Sequence, residues 1–140
     1  PSTGARHIDY CPEGWSYYKF SCFKYFSQPR SWDDAESQCQ ASHAGGHLAW
    51  VDEPQEATTL QKVISYYQRV QPVWLGLRYG HEIQAWQWAS GNKYSISSSG
   101  LVGNGGHGGS CGVLTHLSGF TLWTSAHCSQ KHHYICKFIP

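Results

Sequence analysis

Six cysteines, at positions 11, 22, 39, 111, 128 and 136, are the side chains with the most chemistry to offer. None forms a Cys-x-x-Cys pair, which sets aside the usual zinc ribbons and thioredoxin-like redox centres. An even count spread from near one end of the chain to near the other predicts three disulfides made in an oxidising compartment. Six cysteines allow fifteen pairings, and spacing alone does not choose among them. Nine histidines raise the question of a metal, since imidazole suits zinc and copper. His107, His116 and His127 fall in the late half, and His132 and His133 are adjacent. None of them has a His-x-His, His-x-x-x-His or His-Glu-x-x-His spacing with an acid beside it, so surface or core packing is their default role and no metal site is expected.

Carboxylates are distributed unevenly. The last acidic side chain is Glu82, and the 58 residues after it contain none. No acid near in sequence can orient a late histidine, no Gly-x-Ser-x-Gly turn presents a nucleophile, and no pair of acids is at hand for glycoside hydrolysis. An enzyme is not expected, and binding chemistry remains. Lys93, Tyr94, Asn104, His107 and His116 lie in or beside a glycine-rich stretch and are the candidate ligand contacts. A Tyr or His ring can stack on a pyranose face while Asn and Lys hydrogen-bond its hydroxyls, with no cofactor needed. Such sites are weak and gain from multivalency. The run Gly103 to Gly109 argues the other way, because it has the composition of a flexible tract.

These side chains need elements to hold them. Aromatics on both phases from Trp15 to Ser21 read as a strand. Ser31 followed by Asp33 and Asp34 predicts a capped helix start. Ala35, Gln38, Cys39 and Ser42 would share one face of that helix, and Gly45-Gly46 would end it. Leu48 to Val51 is a short apolar run. Asp52 with Gln55 predicts a second capping box, with Pro54 in the first turn. Ala57, Leu60, Ile64 and Tyr67 then recur at helical spacing to about Arg69, and Pro72 forces an exit. Val73 to Leu77 and Ala85 to Ala89 are strand-like, whereas Gly91 to Gly112 holds eight glycines and reads as a long functional loop. Cys111 to His116, Phe120 to Trp123 and His133 to Phe138 read as closing strands. Helices early and strands late predict an α+β domain with an antiparallel sheet.

The chain has 140 residues, a length suited to one domain: an N-terminal arm over 1–10 and a folded unit over 11–140. Charged residues are only 14% of the chain, against about 25% in ordinary domains. With a net charge of +1 and no Lys/Arg cluster, nucleic acid is not an expected partner and anionic lipid is only weakly attracted. No apolar run approaches the ~18 residues of a membrane span. The sequence opens at Pro1 without an apolar leader, as a processed secreted protein would, and it has no Asn-x-Ser/Thr acceptor.

In chain order, Cys11-Pro-Glu-Gly-Trp15, Cys22, Trp32-x-x-Ala-Glu36-x-x-Cys39 and Gly46-His-Leu48 come first. Val73-Trp74-Leu-Gly-Leu77, Trp86-x-Trp88, Gly91, Cys111, Trp123, Cys128 and Tyr134-Ile-Cys136-Lys follow. This succession resembles the C-type lectin-like domain over roughly residues 11–138. It is most similar to the regenerating (Reg) proteins, which are small secreted single-domain lectins. Ser65-Tyr-Tyr-Gln-Arg-Val-Gln-Pro-Val-Trp74 and the Cys-Lys-Phe-x-Pro ending resemble the fourth, intestinal type. The resemblance implies a C-type lectin-like fold with two helices, antiparallel sheets, a long glycine-rich loop and disulfides Cys11–Cys22, Cys39–Cys136 and Cys111–Cys128. It also implies core positions for Trp15, Trp32, Trp74 and Trp86, with Trp123 read as core beside them.

Calcium-dependent members of that superfamily hold sugar through a Glu-Pro-Asn or Gln-Pro-Asp loop and a Trp-Asn-Asp strand. Calcium takes about six to eight oxygens, several of them carboxylate. Neither tripeptide is present here, and Trp123 is followed by Thr124-Ser125, so the sugar-site calcium is expected to be absent. At a second calcium position of some relatives, Asp52 and Glu56 match two acids, Trp50 replaces a hydroxyl ligand, and Lys137 takes the place of the third acid. An ammonium brings charge and three donors, so a salt bridge from Lys137 to Asp52 or Glu56 is expected in place of calcium. The resemblance thus implies a secreted, extracellular, calcium-independent lectin-like protein for polysaccharide such as mannan, or for bacterial or mucin glycans. The alternatives are a growth-factor-like ligand of a cell-surface receptor and a matrix or eggshell-type structural protein, the latter weakened by the shortage of acids.

Overall fold

The computed structural model describes residues 11–67, 69–105 and 108–140, so the arm expected over 1–10 and the candidate contact His107 lie outside the described residues. The chain opens with a tight hairpin of β1 (Ser16–Tyr18) and β2 (Ser21–Arg30), where a single strand was expected. Lys19 and Phe20 form the turn with φ of 39° and 68°, the positive values that a two-residue hairpin loop needs. Neither residue is the Gly or Asn that normally signals such a loop, so the turn left no mark in the sequence. β2 continues to Arg30 through Pro29, and its pairing is irregular between Phe26 and Arg30, where a proline is tolerated.

Helix α1 (Trp32–Ser42) begins at Ser31, whose hydroxyl accepts the Asp34 N–H at 3.3 Å, as a capping serine should. Gly46 then lets the chain pass against the last turn, since a Cβ there would overlap the Cys39 carbonyl. After β3 (His47–Leu48), helix α2 (Pro54–Tyr66) starts one residue later than expected. Glu53 is the N-cap, and the reach back to the preceding backbone comes from Glu56, whose Oε1 accepts the Asp52 N–H at 2.8 Å. Gln55 instead accepts from Lys19 Nζ at 2.9 Å.

The remaining elements are β4 (Val73–Gly80), β5 (Ala85–Trp88), the single-turn α3 (Ile96–Ser99), β6 (Val102–Asn104), β7 (Cys111–Leu114), β8 (Leu122–Ala126) and β9 (His132–Phe138). Thus the stretch read as one structureless loop carries a helical turn and a strand. The strands order as β1-β2-β9-β4-β7-β8-β6, with β3 also on β9 and β5 on β4. Most pairings are antiparallel, but β4 with β9 and β6 with β8 run parallel, so the sheet is mixed where an antiparallel one was expected.

Alternation along the central strands splits the core in two. Val73, Leu75 and Leu77 of β4 and Ile135 of β9 pack with Leu60 and Ile64 of α2. Trp74 and Tyr134, one residue out of phase, pack with Trp32, Ala35 and Cys39 of α1. Trp32, Trp74 and Trp123 are buried, whereas Trp15 and Trp86 are only partly so, each lying against the edge of a cluster. Disulfides Cys11–Cys22, Cys39–Cys136 and Cys111–Cys128 complete the frame. The second joins α1 to β9 across 97 residues, a closure that restricts the unfolded chain by about 3–5 kcal/mol.

Candidate functional site

Two regions correspond to the places where sequence alone raised the question of an ion. The first is the head of α2. Lys137 points inward from β9 and is 0% exposed. Its Nζ lies 2.7 Å from Glu56 Oε2 and 3.4 Å from Asp52 Oδ2, and it donates to the Trp50 carbonyl at 3.2 Å. Three acceptors therefore meet three ammonium protons. The Trp50 ring adds a cation–π contact at 4.2 Å from its centroid, and Phe23 another at 5.6 Å. A divalent ion does not fit this donor set, because its centre is taken by a fixed cation.

The second region is a groove of about 440 Å³ between β6 and β8. Val102 and Gly103 form one side, and Leu122, Trp123 and Thr124 the other. The far wall is the segment around the 3₁₀ turn His116–Ser118, through Thr115, Leu117 and Ser118. Val102 pairs with Leu122 and Asn104 with Thr124, so two parallel strands bring the loop against the closing strand. Gly103 has a steric reason to be glycine: any Cβ there would run into the Trp123 indole. Among the described residues no charged side chain lines the groove, and its polar groups are hydroxyls, the Trp123 indole N–H and backbone. Calcium, which needs carboxylates, has no fitting donor set here either.

The candidate contacts fall unevenly around this groove. The backbone of Asn104 lies in β6, directly after the lining residues Val102 and Gly103. His116 is exposed and sits between the lining residues Thr115 and Leu117, its ring 6.0 Å from Phe120. Lys93 is exposed and bridges back to Gln87, beside β5. Tyr94 faces the interior. Its hydroxyl donates to the Leu101 carbonyl at 2.7 Å and accepts from Trp123 Nε1 at 2.9 Å, so its role is to anchor the groove floor. Burial pushes the Tyr94 phenol up, partly offset by the Trp123 donor. The residues that sequence reasoning missed are Val102, Leu117 and Leu122, apolar side chains 48%, 98% and 49% exposed. Residue type gave no signal for them, because a leucine or valine left in water looks the same in sequence as one that is buried.

The histidines are dispersed among separate partners. His47 Nδ1 is 2.6 Å from Glu36 Oε2, His43 stacks on Phe138, and His132 meets Gln130. His133 is buried with Nδ1 2.7 Å from the Tyr25 hydroxyl, and burial with the nearby Arg69 holds its imidazole below the ordinary histidine range. Among the described residues no three His, Cys, Asp or Glu side chains converge as a metal set.

Comparison with known proteins agrees with this architecture. The sequence profile of the lectin C-type domain matches residues 28–138. Human regenerating islet-derived protein 4 is 38% identical over 130 residues, which span 93% of this chain and 82% of the relative. Human lithostathine superposes with a TM-score of 0.80 at 28% identity, over 93% of this chain and all of its own. The structure of human regenerating gene type IV protein superposes at 0.71 with 37% identity, covering 93% and 98%. With two helices on a mixed sheet, three disulfides and these similarities along nearly its whole length, the chain belongs to the C-type lectin domain family and to its regenerating-protein branch, a carbohydrate-binding fold without enzymatic activity.

Proposed function

We propose that the chain is a secreted, calcium-independent lectin that recognises polysaccharide or microbial or mucin glycans through the groove between β6 and β8. The observation that carries this reading is the chemistry of the groove wall. β8 offers Thr124 and Ser125 where a calcium-held sugar would need carboxylate ligands, and no acid follows Glu82. Sugar must then be held by direct contact, with His116 flanking the groove and Lys93 farther out as polar contacts. Ammonium replaces metal at the head of α2, so the fold there also has no call for an ion. Glycan-array binding measured in calcium and again in EDTA tests the reading. Equal capture in both is expected, and loss of all capture in EDTA overturns it.

A second reading, attachment to a cell-surface protein, draws on Tyr66 and Val70, which are 80% and 60% exposed near the end of α2. Silence on every glycan, together with capture by cells that is lost on Tyr66→Ser, would favour it.

A further inference from the structure

An exposed aromatic surface closes α2. The Tyr66 side chain stands in water, yet its ring is held: it meets Tyr67 edge-on at 5.4 Å, and Tyr67 stacks at 4.8 Å on the buried Tyr25. The Tyr25 hydroxyl lies 2.7 Å from His133 Nδ1, which fixes the base of this ladder of rings. An exposed ring that is already ordered loses little freedom when a partner covers it, so it suits a protein contact. Val70, also exposed, adds methyl groups. The charge here has one sign. From Ala57 to His81 the chain has no acid, and its cations are Lys62, Arg69 and Arg78. Arg78 pairs with Asp33 of α1. Lys62 and Arg69 are exposed, and neither enters an ion pair among the described residues. Lys62 precedes Tyr66 by about one helical turn, so the two side chains are neighbours. Arg69 is close enough for its charge to act on both Tyr25 and His133, which places it beside the ladder. Strands β2 and β9, which carry those two residues, contain no carboxylate. The one acid within α2 is Glu56, about 15 Å along the helix from Tyr66 and already paired with Lys137. Salt screens exposed charges over about 8 Å, so the end of α2 presents a positive field.

We propose that an acidic segment of a protein partner docks on this surface, its carboxylates on Arg69 and Lys62 and an apolar side chain against Tyr66 and Val70. This rests on the second reading above, protein attachment, and names the chemistry of the partner. The guanidinium and the ammonium, which have no carboxylate of their own, pair with the incoming acids. The ordered Tyr66 ring and the Val70 methyls cover the apolar group between those acids, and tyrosine and arginine are the residue types that dominate such contacts. An anionic membrane is a poorer match, because each cation adds only about fivefold to partition and two do not hold a domain at a bilayer. A sulfated polysaccharide would meet the cations but leave the ring and the methyls uncovered.

The test is a fluorescence-polarisation titration of the full chain with labelled Glu-Glu-Leu-Phe-Glu-Glu and with Gln-Gln-Leu-Phe-Gln-Gln, beside phosphatidylserine vesicles and a sulfated tetrasaccharide. The acidic peptide should bind about tenfold or more tighter than its neutral counterpart. Arg69→Glu and Tyr66→Ser should each weaken it about tenfold, and Lys62→Glu about threefold, with Tm level because all three positions are exposed. Lys24→Glu changes the net charge equally but lies on the opposite face of β2 from Tyr25, and should leave binding within about twofold. Equal binding of the two peptides, no binding of either, or the same loss from Lys24→Glu as from Arg69→Glu overturns the proposal. So does tighter binding of the vesicles or the sulfated sugar than of the acidic peptide. Capture by cells separates this proposal from the reading beneath it. Capture that is lost on Tyr66→Ser but indifferent to Arg69→Glu and Lys62→Glu overturns the acidic partner and leaves protein attachment standing. Capture that is absent, or indifferent to all three variants, overturns protein attachment itself.

Discussion

The head of α2 and the β6/β8 groove treat charge in opposite ways. At the head of α2 the charge is kept: Glu56 is buried, and the ammonium of Lys137 supplies the positive centre at 2.7 Å. The described residues that line the groove carry no charge, and hydroxyls with aliphatic walls occupy the space. The difference lies in what each region must hold. A buried carboxylate needs a counter-charge, or it must be discarded. An open surface can lose its anions without cost, because water covers whatever remains. One region is therefore a closed electrostatic unit that supports the fold, and the other is an open surface.

The largest expected effect breaks the first half of this comparison. Lys137→Met leaves the buried Glu56 without its ionic partner and should lower stability by about 3–5 kcal/mol, read by chemical denaturation. Adding Glu56→Gln and Asp52→Asn to Lys137→Met should recover much of the loss, since no charge is then stranded. Lys137→Glu sharpens the point: a third acid should make Tm rise with added calcium, while the parent Tm stays level. Gly103→Ala attacks the other half. Its Cβ must displace the Trp123 indole or β6, at a cost of about 1–3 kcal/mol, and glycan capture should fall with it.

A smaller effect depends on pH. His133 has its folded pKa held below the ordinary 6.5 by burial and Arg69, and His132 is lowered by burial and by His133. The unfolded chain then binds more protons than the folded one in the window below 6.5. The stabilisation is fully present above that value and is lost as pH falls through the folded pKa values. Tm recorded from pH 7.5 down to 5 should decline, and His133→Gln should flatten the slope. Smallest of all, Leu122→Asp should change Tm little, by about 0.5 kcal/mol or less in stability, even as it removes binding.

Much of the fold was legible because local rules and packing agreed. Ser31 with Asp33 and Asp34 marked α1, and Leu60 and Ile64 marked the inner face of α2, because capping and burial act on those same residues. The hairpin at Lys19 and Phe20 was not legible, because its positive φ values are imposed by the pairing of β1 with β2 against β9 and not by residue type. β6 was hidden for a related reason: Val102-Gly103-Asn104, set in a glycine-rich stretch, becomes a strand only when β8 lies alongside. The ionic unit around Lys137 could be anticipated, since a lysine displacing an acid carries its own chemistry. The groove walls could not, because exposed aliphatic side chains reveal a binding surface only after the neighbours that fail to cover them are known.

The bridge between Cys39 and Cys136 spans α1 and β9, and the described lining of the β6/β8 groove lies between its two ends. A protease that cuts once in the glycine-rich segment at 100–105 therefore yields two pieces that cannot part. Such a nicked chain would run as one species until a reductant is added. A cut beside the groove thus leaves the body of the molecule in one covalent piece.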